Sequence, residues 1–146
     1  MTVDASDVPG PYHLEDQVGF MLRLANQRHM AIFTERMGGE LTAVQFSTLV
    51  RLSEVDGPIS QNALGRLVGM DAATTKGVLA RLMARDLVKM EKSQTDKRRY
   101  MLSTTQAGRD LIAKLMPRAC QITEETLAPL NAKERASLLR LLAKLY

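Results

Sequence analysis

Apolar positions in this chain recur at helical spacing for most of its length, break once into alternation with period two, and then return to helical spacing. From His13 to about Met37, Leu14, Val18, Met21, Leu22, Ala25, Ile32 and Phe33 form one stripe on a wheel of about 3.6 residues per turn, while Phe20 and Leu24 fall on another side. A long helix with two apolar faces packs twice. Gly38 and Gly39 end it. Thr42 followed by Gln45 is a capping box that opens a second helix, closing near Asp56, Gly57 and Pro58. Ser60 caps a short third helix whose apolar positions are Ala63, Leu64, Leu67 and Val68, and Gly69 supplies the left-handed residue that ends it. Asp71 caps a fourth helix, which turns Thr75, Val78, Leu79 and Leu82 inward and Ala73, Lys76, Gly77 and Ala80 outward. Small outward side chains let a helix approach base edges closely, as a recognition helix must.

The alternation follows. Leu87, Val88, Lys89 and Met90 read as a strand, Ser93 to Arg98 as a polar tip, and Arg99 to Leu102 as the returning strand, which makes a hairpin wing. Thr105 caps a long helix running to about Leu127, with Pro117 expected to interrupt and kink it. Asn131 and Glu134 open a last helix whose Leu138, Leu139, Leu141, Leu142 and Leu145 exceed one narrow stripe. The predicted fold is mainly α with a small β-hairpin wing. An extended arm over residues 1–12 precedes a single domain over 13–146, in which a winged helix-turn-helix core at 38–104 is flanked by dimerisation helices at 13–37 and 105–146. The terminal helices carry more apolar surface than one reader can cover, and a second copy related by a twofold axis buries it most economically. The competing arrangement is a monomer whose terminal helices pack on one another.

Charge sharpens this picture. The chain carries a net +4, and the stretch from Ser60 to Leu102 holds nine Lys or Arg against four acids, leaving −1 for the remainder. A basic excess confined to one stretch is the footprint of phosphate contacts, so double-stranded DNA is the expected partner, read by the dimer as a pseudo-palindromic operator. The 45% of apolar residues suffices for a core. No run of about 18 apolar residues occurs, and the first residues lack a basic and then apolar secretory pattern, so a cytoplasmic protein without a membrane partner is expected. Cys120 is a lone cysteine, and neither it nor His13 and His29 has zinc-ligand spacing. No glycine-rich phosphate loop and no nucleophile with its base is recognisable, so no metal, cofactor or catalytic activity is expected.

Asp96-x-Arg98 followed by Thr105-x-x-Gly108, in the order helix, helix, helix-turn-helix, wing, long helix, leucine-rich helix, resembles the MarR family of multiple-antibiotic-resistance regulators over nearly the whole chain. Thr104 stands where that family usually has Leu, a change expected to loosen the strand-to-helix junction. The resemblance implies a homodimeric winged helix-turn-helix repressor, with the helix from Asp71 to Arg85 in the major groove, Arg98 in the minor groove and Asp96 orienting Arg98. The residues it places against DNA are Ser60, Gln61 and Asn62, then Ala72, Ala73, Thr74, Lys76 and Arg81, then Asp96, Lys97, Arg98 and Arg99. Physically, a carboxylate two residues from an arginine at a hairpin tip restricts the guanidinium, and a narrow A·T-rich groove attracts that cation. Asp96 also reads as an ordinary turn residue.

The segments Asp16 to Phe20, Asn26 to Phe33, Ser60 to Leu67 and Met70 to Val78 are similar to a subgroup that includes repressors of nicotinate degradation. This implies a small aromatic acid effector such as 6-hydroxynicotinate, lodged between the dimerisation helices and the reader. A planar anion needs a cation and an apolar slot. Arg23 and His29 are the candidates for the carboxylate, and Phe33 and Phe46 for the slot. Each has a second reading: Arg23 as a dimer salt bridge, His29 as a core histidine satisfied by a backbone carbonyl, and the phenylalanines as plain core. Two functional alternatives stay open, a winged-helix module that binds an acidic protein and a regulator that senses oxidants through Cys120. The thiol reads more readily as buried and inert, despite Arg118 nearby.

Overall fold

The computed structural model describes residues 10–146, which form six α-helices and one two-stranded antiparallel hairpin. They are α1 (Val18–Met37), α2 (Ala43–Glu54), α3 (Gln61–Val68), α4 (Ala72–Ala84), β1 (Val88–Lys92), β2 (Tyr100–Thr104), α5 (Gln106–Thr126) and α6 (Ala132–Leu142). Of the arm expected over 1–12, residues 1–9 lie outside the described residues, and Gly10, Pro11 and Tyr12 are exposed.

Local chemistry sets most boundaries. Thr42 and Gln45 close a capping box, as do Asn131 and Glu134, and the side chains of Ser60, Asp71 and Thr105 each accept a bond from a backbone N–H three residues on. Gly69 ends α3 at φ 68°, in the left-handed region. The first helix departs from expectation: it starts at Val18, after a one-turn 3-10 segment Leu14–Asp16 and an extended Gln17. The Gln17 Nε2 donates to the His13 carbonyl at 2.9 Å, which holds that joint open. Pro117 does not interrupt α5. It and Ala113, whose carbonyl loses its partner, are both exposed, so water is available in place of the missing N–H.

Leu49, Leu64, Leu79, Leu82, Leu102 and Leu115 are buried completely or nearly so and join α2, α3, α4, β2 and α5 into one core. α3 and α4 cross at Gly65, where a Cβ would lie 3.0 Å from the Thr75 hydroxyl and 3.2 Å from the Met70 carbonyl. That tight turn draws Leu64 and Gly65 under α4, whereas Leu67, another of the apolar positions at helical spacing, is left half exposed. The hairpin pairs Val88 with Thr104 through Lys92 with Tyr100, and Ile59 and Leu102 exchange backbone bonds at 3.1 and 2.7 Å, which ties the chain before α3 to the wing. Thr104 is buried and its carbonyl accepts from Arg109 at 2.9 Å, so the junction is bonded rather than loosened. Cys120 is exposed, not buried. Ile112, Leu115 and Ile122 set the inward face of α5, and Cys120 falls off that stripe.

Among the described residues, the first half of α1 and most of α6 keep apolar side chains exposed. Val18, Met21, Leu22 and Leu24 on the one, and Leu139, Leu141 and the following Leu145 on the other, are 44–66% exposed, and α6 buries no residue.

The start of α5 lies directly on the Leu87 carbonyl, which accepts the Thr105 N–H at 3.1 Å. A Cβ at Gly108 would overlap that carbonyl. Gly108→Ala is expected to lower stability by about 1–3 kcal/mol, read as a shifted urea midpoint at constant slope. An unchanged midpoint would mean that the α5 start moves freely against the wing.

Candidate nucleic-acid interface

α4 buries Thr75, Val78, Leu79 and Leu82 and so turns Ala72, Ala73, Thr74, Lys76, Gly77, Ala80 and Arg81 outward, all exposed. Its first turn is fixed by Asp71, whose carboxylate accepts the Thr74 N–H at 2.7 Å while its carbonyl accepts the Thr75 hydroxyl at 2.7 Å. Bonding from the Thr74 amide and then its hydroxyl holds the Asp71 carboxyl below the usual aspartate range. The free N–H groups beyond that cap leave the helix start electropositive, a setting suited to a phosphate.

The wing tip is a bonded turn. The Ser93 N–H donates to the Arg99 carbonyl at 2.8 Å, the Arg99 N–H to the Asp96 carbonyl at 3.0 Å, and the Ser93 hydroxyl accepts the Thr95 and Asp96 amides at 3.3 Å. Asp96 Oδ1 then accepts both the Arg98 amide at 3.1 Å and the Arg98 Nε at 3.2 Å. Asp96 is therefore a turn residue and an orienter at once. The Arg98 amide, then its guanidinium, then the charge of Arg99 keep the Asp96 carboxyl ionised below its ordinary value. The Arg98 side chain is 91% exposed and is held to Asp96 through Nε.

Between α3 and the wing runs a cleft of about 470 Å³ lined by Ser60, Gln61, Asn62, Arg66, Met90, Arg99, Tyr100 and Leu102. A smaller depression of about 210 Å³ joins Gln61, Asn62 and Arg66 to Ala72 at the start of α4. Of the expected contacts, Ser60, Gln61, Asn62, Ala72 and Arg99 thus line these two adjoining depressions; Ala73, Thr74, Lys76 and Arg81 line neither and stand on the exposed face of α4, and Lys97 and Arg98 are exposed at the wing tip. Arg66 and Tyr100 were not among the expected contacts. Arg66 was visible in the charge excess, whereas Tyr100 becomes a lining residue only through the hairpin register.

The four expected effector contacts do not share one cavity in a single protomer. His29 lines a groove of about 390 Å³ with Leu22 and Asn26 of α1, Thr123 and Thr126 of α5, and Leu138, Leu139 and Leu142 of α6. Its Nδ1 lies 2.9 Å from the Thr126 hydroxyl, so a side chain rather than a backbone carbonyl satisfies it. Phe33 is buried, meets Phe46 edge to face at 6.5 Å, and walls a separate cavity of about 310 Å³ beside Met30 and Arg85. Arg23 lines neither: its guanidinium lies 5.4 Å from the Phe20 ring centroid, on the exposed side of α1. Among the described residues no group of three His, Cys, Asp or Glu is placed to hold a metal ion, and no helix is long and apolar enough to cross a membrane.

Residues 40–99 match the model of the MarR family. The HTH-type transcriptional repressor NicR of Pseudomonas putida is 40% identical over 136 residues, covering 92% of this chain and 85% of the relative. A probable transcriptional regulator from Pseudomonas aeruginosa superposes with a TM-score of 0.88 at 46% identity, over 92% of this chain and all of that one. Bordetella bronchiseptica BpsR, whose structure concerns regulation of its DNA binding by 6-hydroxynicotinic acid, superposes with a TM-score of 0.88 at 39% identity, over 93% and 97% of the two chains.

Arg98→Ala is expected to weaken binding to a duplex selected from a random pool by about 1–3 kcal/mol per wing, without changing the sedimentation coefficient of the free protein. Unchanged affinity would remove the wing from recognition. For Asp71 and Asp96, whose native carboxyls sit below their unfolded values, the stabilisation is fully present above the ordinary aspartate range and is lost as pH falls through the lowered native values. NMR titration should place both midpoints below that of a model aspartate; a midpoint at or above it would contradict the bonding described.

Proposed function

The chain belongs to the MarR family, and we propose that it is a homodimeric transcriptional repressor released from its operator by a small aromatic carboxylate of the 6-hydroxynicotinate type. The observation that carries the DNA-reading part is the pairing of two surfaces: an α4 face of small residues, and beside it a hairpin tip where Asp96 holds one edge of an otherwise exposed Arg98. α4 enters the major groove with Ala72, Ala73, Thr74, Lys76 and Arg81. Ser60, Gln61, Asn62 and Arg99 track the backbone, and Arg98, flanked by Lys97, reaches the minor groove. The uncovered apolar faces of α1 and α6 support the dimer, because exposed patches of this kind mark subunit contacts.

The effector class rests on the likeness to NicR and to BpsR, the latter regulated by 6-hydroxynicotinic acid. In this reading the second protomer completes the effector site. Arg23 and His29 lie toward the uncovered faces of α1 and α6 and take the carboxylate, while the Phe33–Phe46 pair stiffens the floor between α1 and α2. An inducer must bind the DNA-incompetent arrangement more tightly. A coupling of about 1–3 kcal/mol lowers operator affinity roughly 5–150-fold.

Titrating 6-hydroxynicotinate, nicotinate and salicylate into a preformed protein–DNA complex tests this. 6-Hydroxynicotinate is expected to release the DNA, and His29→Ala and Arg23→Ala to raise the concentration needed while leaving ligand-free affinity unchanged. Release by none of the three removes the effector class; release with both variants behaving like the parent removes the pocket. Deleting residues from Asn131 onward should abolish the dimer and, with it, cooperative binding of both half-sites. A truncated chain that still sediments as a dimer would contradict the role given to α6.

A further inference from the structure

One carboxylate stands where three cations from two helices converge, away from the DNA-facing edge. Glu40 lies between α1 and α2, directly after Gly38 and Gly39, which take φ of 60° and 80° and let the chain turn sharply there. Its Oε1 accepts Lys114 Nζ of α5 at 3.0 Å, and its Oε2 lies 4.0 Å from Nη2 of Arg85, the residue that caps the C-terminal end of α4. The Arg85 guanidinium also donates to the Glu40 backbone carbonyl, and Arg118 of α5 donates to the neighbouring Met37 carbonyl at 3.3 Å. The carboxyl is held below its ordinary range first by the Lys114 bond and charge, and further by Arg118 and Arg85.

This placement matters because of what α4 otherwise touches. α4 packs on α2, α3 and β1, whereas α5 packs on α1, α2 and β2. Thr105, the α5 cap, bonds the Asp86 and Leu87 carbonyls just beyond α4, and the Glu40 group adds a second, charged link from the C-terminal end of the reader helix to the middle of α5. α4 has 13 residues and so is about 20 Å long. A tilt of about 10° at its C-terminal end therefore displaces the DNA-facing end by about 3.5 Å, close to one base-pair step.

We infer that Glu40 is a positioning residue for DNA binding: its carboxylate, shared between Arg85 and Lys114, sets the angle of α4 against α5 and so the distance between the two reader helices of the dimer. The inference rests on the dimeric DNA-reading function proposed above. It makes a prediction opposite in sign to simple charge. Removing a negative charge from a DNA-binding protein raises affinity by long-range attraction alone, whereas loosening the link lowers it.

The test uses the full-length protein and a duplex selected from a random pool, together with derivatives whose half-sites are moved together or apart by one base pair. Glu40→Gln is expected to bind the selected duplex about 3–30-fold more weakly than the parent and to discriminate less between spacings, with the dimer retained. Glu54→Gln, which breaks the exposed Arg51–Glu54 pair on α2, should match the parent at every spacing. Should Glu40→Gln fail to fold, Arg85→Gln, which leaves the Lys114–Glu40 bond in place, must give the same flattened spacing profile. Tighter binding by Glu40→Gln, or a loss equal at all spacings, overturns the inference. A parent protein that shows no sequence-specific binding, or binds as a monomer, instead overturns the function on which it rests.

Discussion

What this chain offers to DNA depends on the burial of one face of α4. Leu79 and Leu82 are fully buried and Val78 nearly so, against Leu49 of α2, Leu64 of α3 and Leu102 of β2. Burying a leucine side chain contributes about 1.5–3 kcal/mol, so these contacts outweigh the surface ion pairs around them, each worth about 0–1 kcal/mol. Because that face is fixed inward, the opposite face is fixed outward, and its small residues present backbone and Lys76 rather than bulk. Gly65 lets α3 cross at the distance this packing needs, and Gly108 does the same where α5 meets the turn before β1. Apolar, close supports therefore fix which face of α4 is turned outward, and the Glu40 group is left to trim its angle against α5.

The molecule treats its two ends differently. The second half of α1 is fastened to the end of α5: Arg28 donates to the Thr126 and Glu125 carbonyls at 2.7 and 2.8 Å, Arg36 pairs with the Glu125 carboxylate at 2.8 Å, and His29 bonds Thr126. Cations on the last carbonyls of a helix complement its dipole as well as its unpaired oxygens. Among the described residues no such bond fastens the first half of α1 to α5, and its apolar side chains stay open. Placing the partner protomer there gives the proposed effector a site at the seam between subunits, where a small ligand shifts the relation of two readers at least structural expense.

Features set by neighbours along the chain are legible in the residues themselves. Thr42, Ser60, Asp71, Thr105 and Asn131 cap helices through bonds only three residues long, and Asp96 reaches Arg98 across two. Features set by distant partners are not. His29 meets Thr126 97 residues away, and Glu40 meets Lys114 74 residues away, pairs that no local pattern announces. The half-exposure of Leu67 and the exposure of Cys120 depend on how α3 and α5 are rotated in the assembled core, and helical spacing cannot set that rotation to within one residue. The late start of α1 is hidden in the sequence because the apolar stripe continues through Leu14, although the backbone at Gln17 is extended.

In the proposed complex α4 and the Arg98 wing read opposite grooves from a twofold dimer. Chemical footprinting of the protein on a selected duplex, with separate probes for major-groove guanine N7 and minor-groove adenine N3, distinguishes the two contacts in one experiment. Two major-groove protections about one helical turn apart are expected, each flanked by a minor-groove protection at an A·T-rich step that disappears in Arg98→Ala. A single protected half-site, or minor-groove protection that persists without Arg98, would contradict this arrangement.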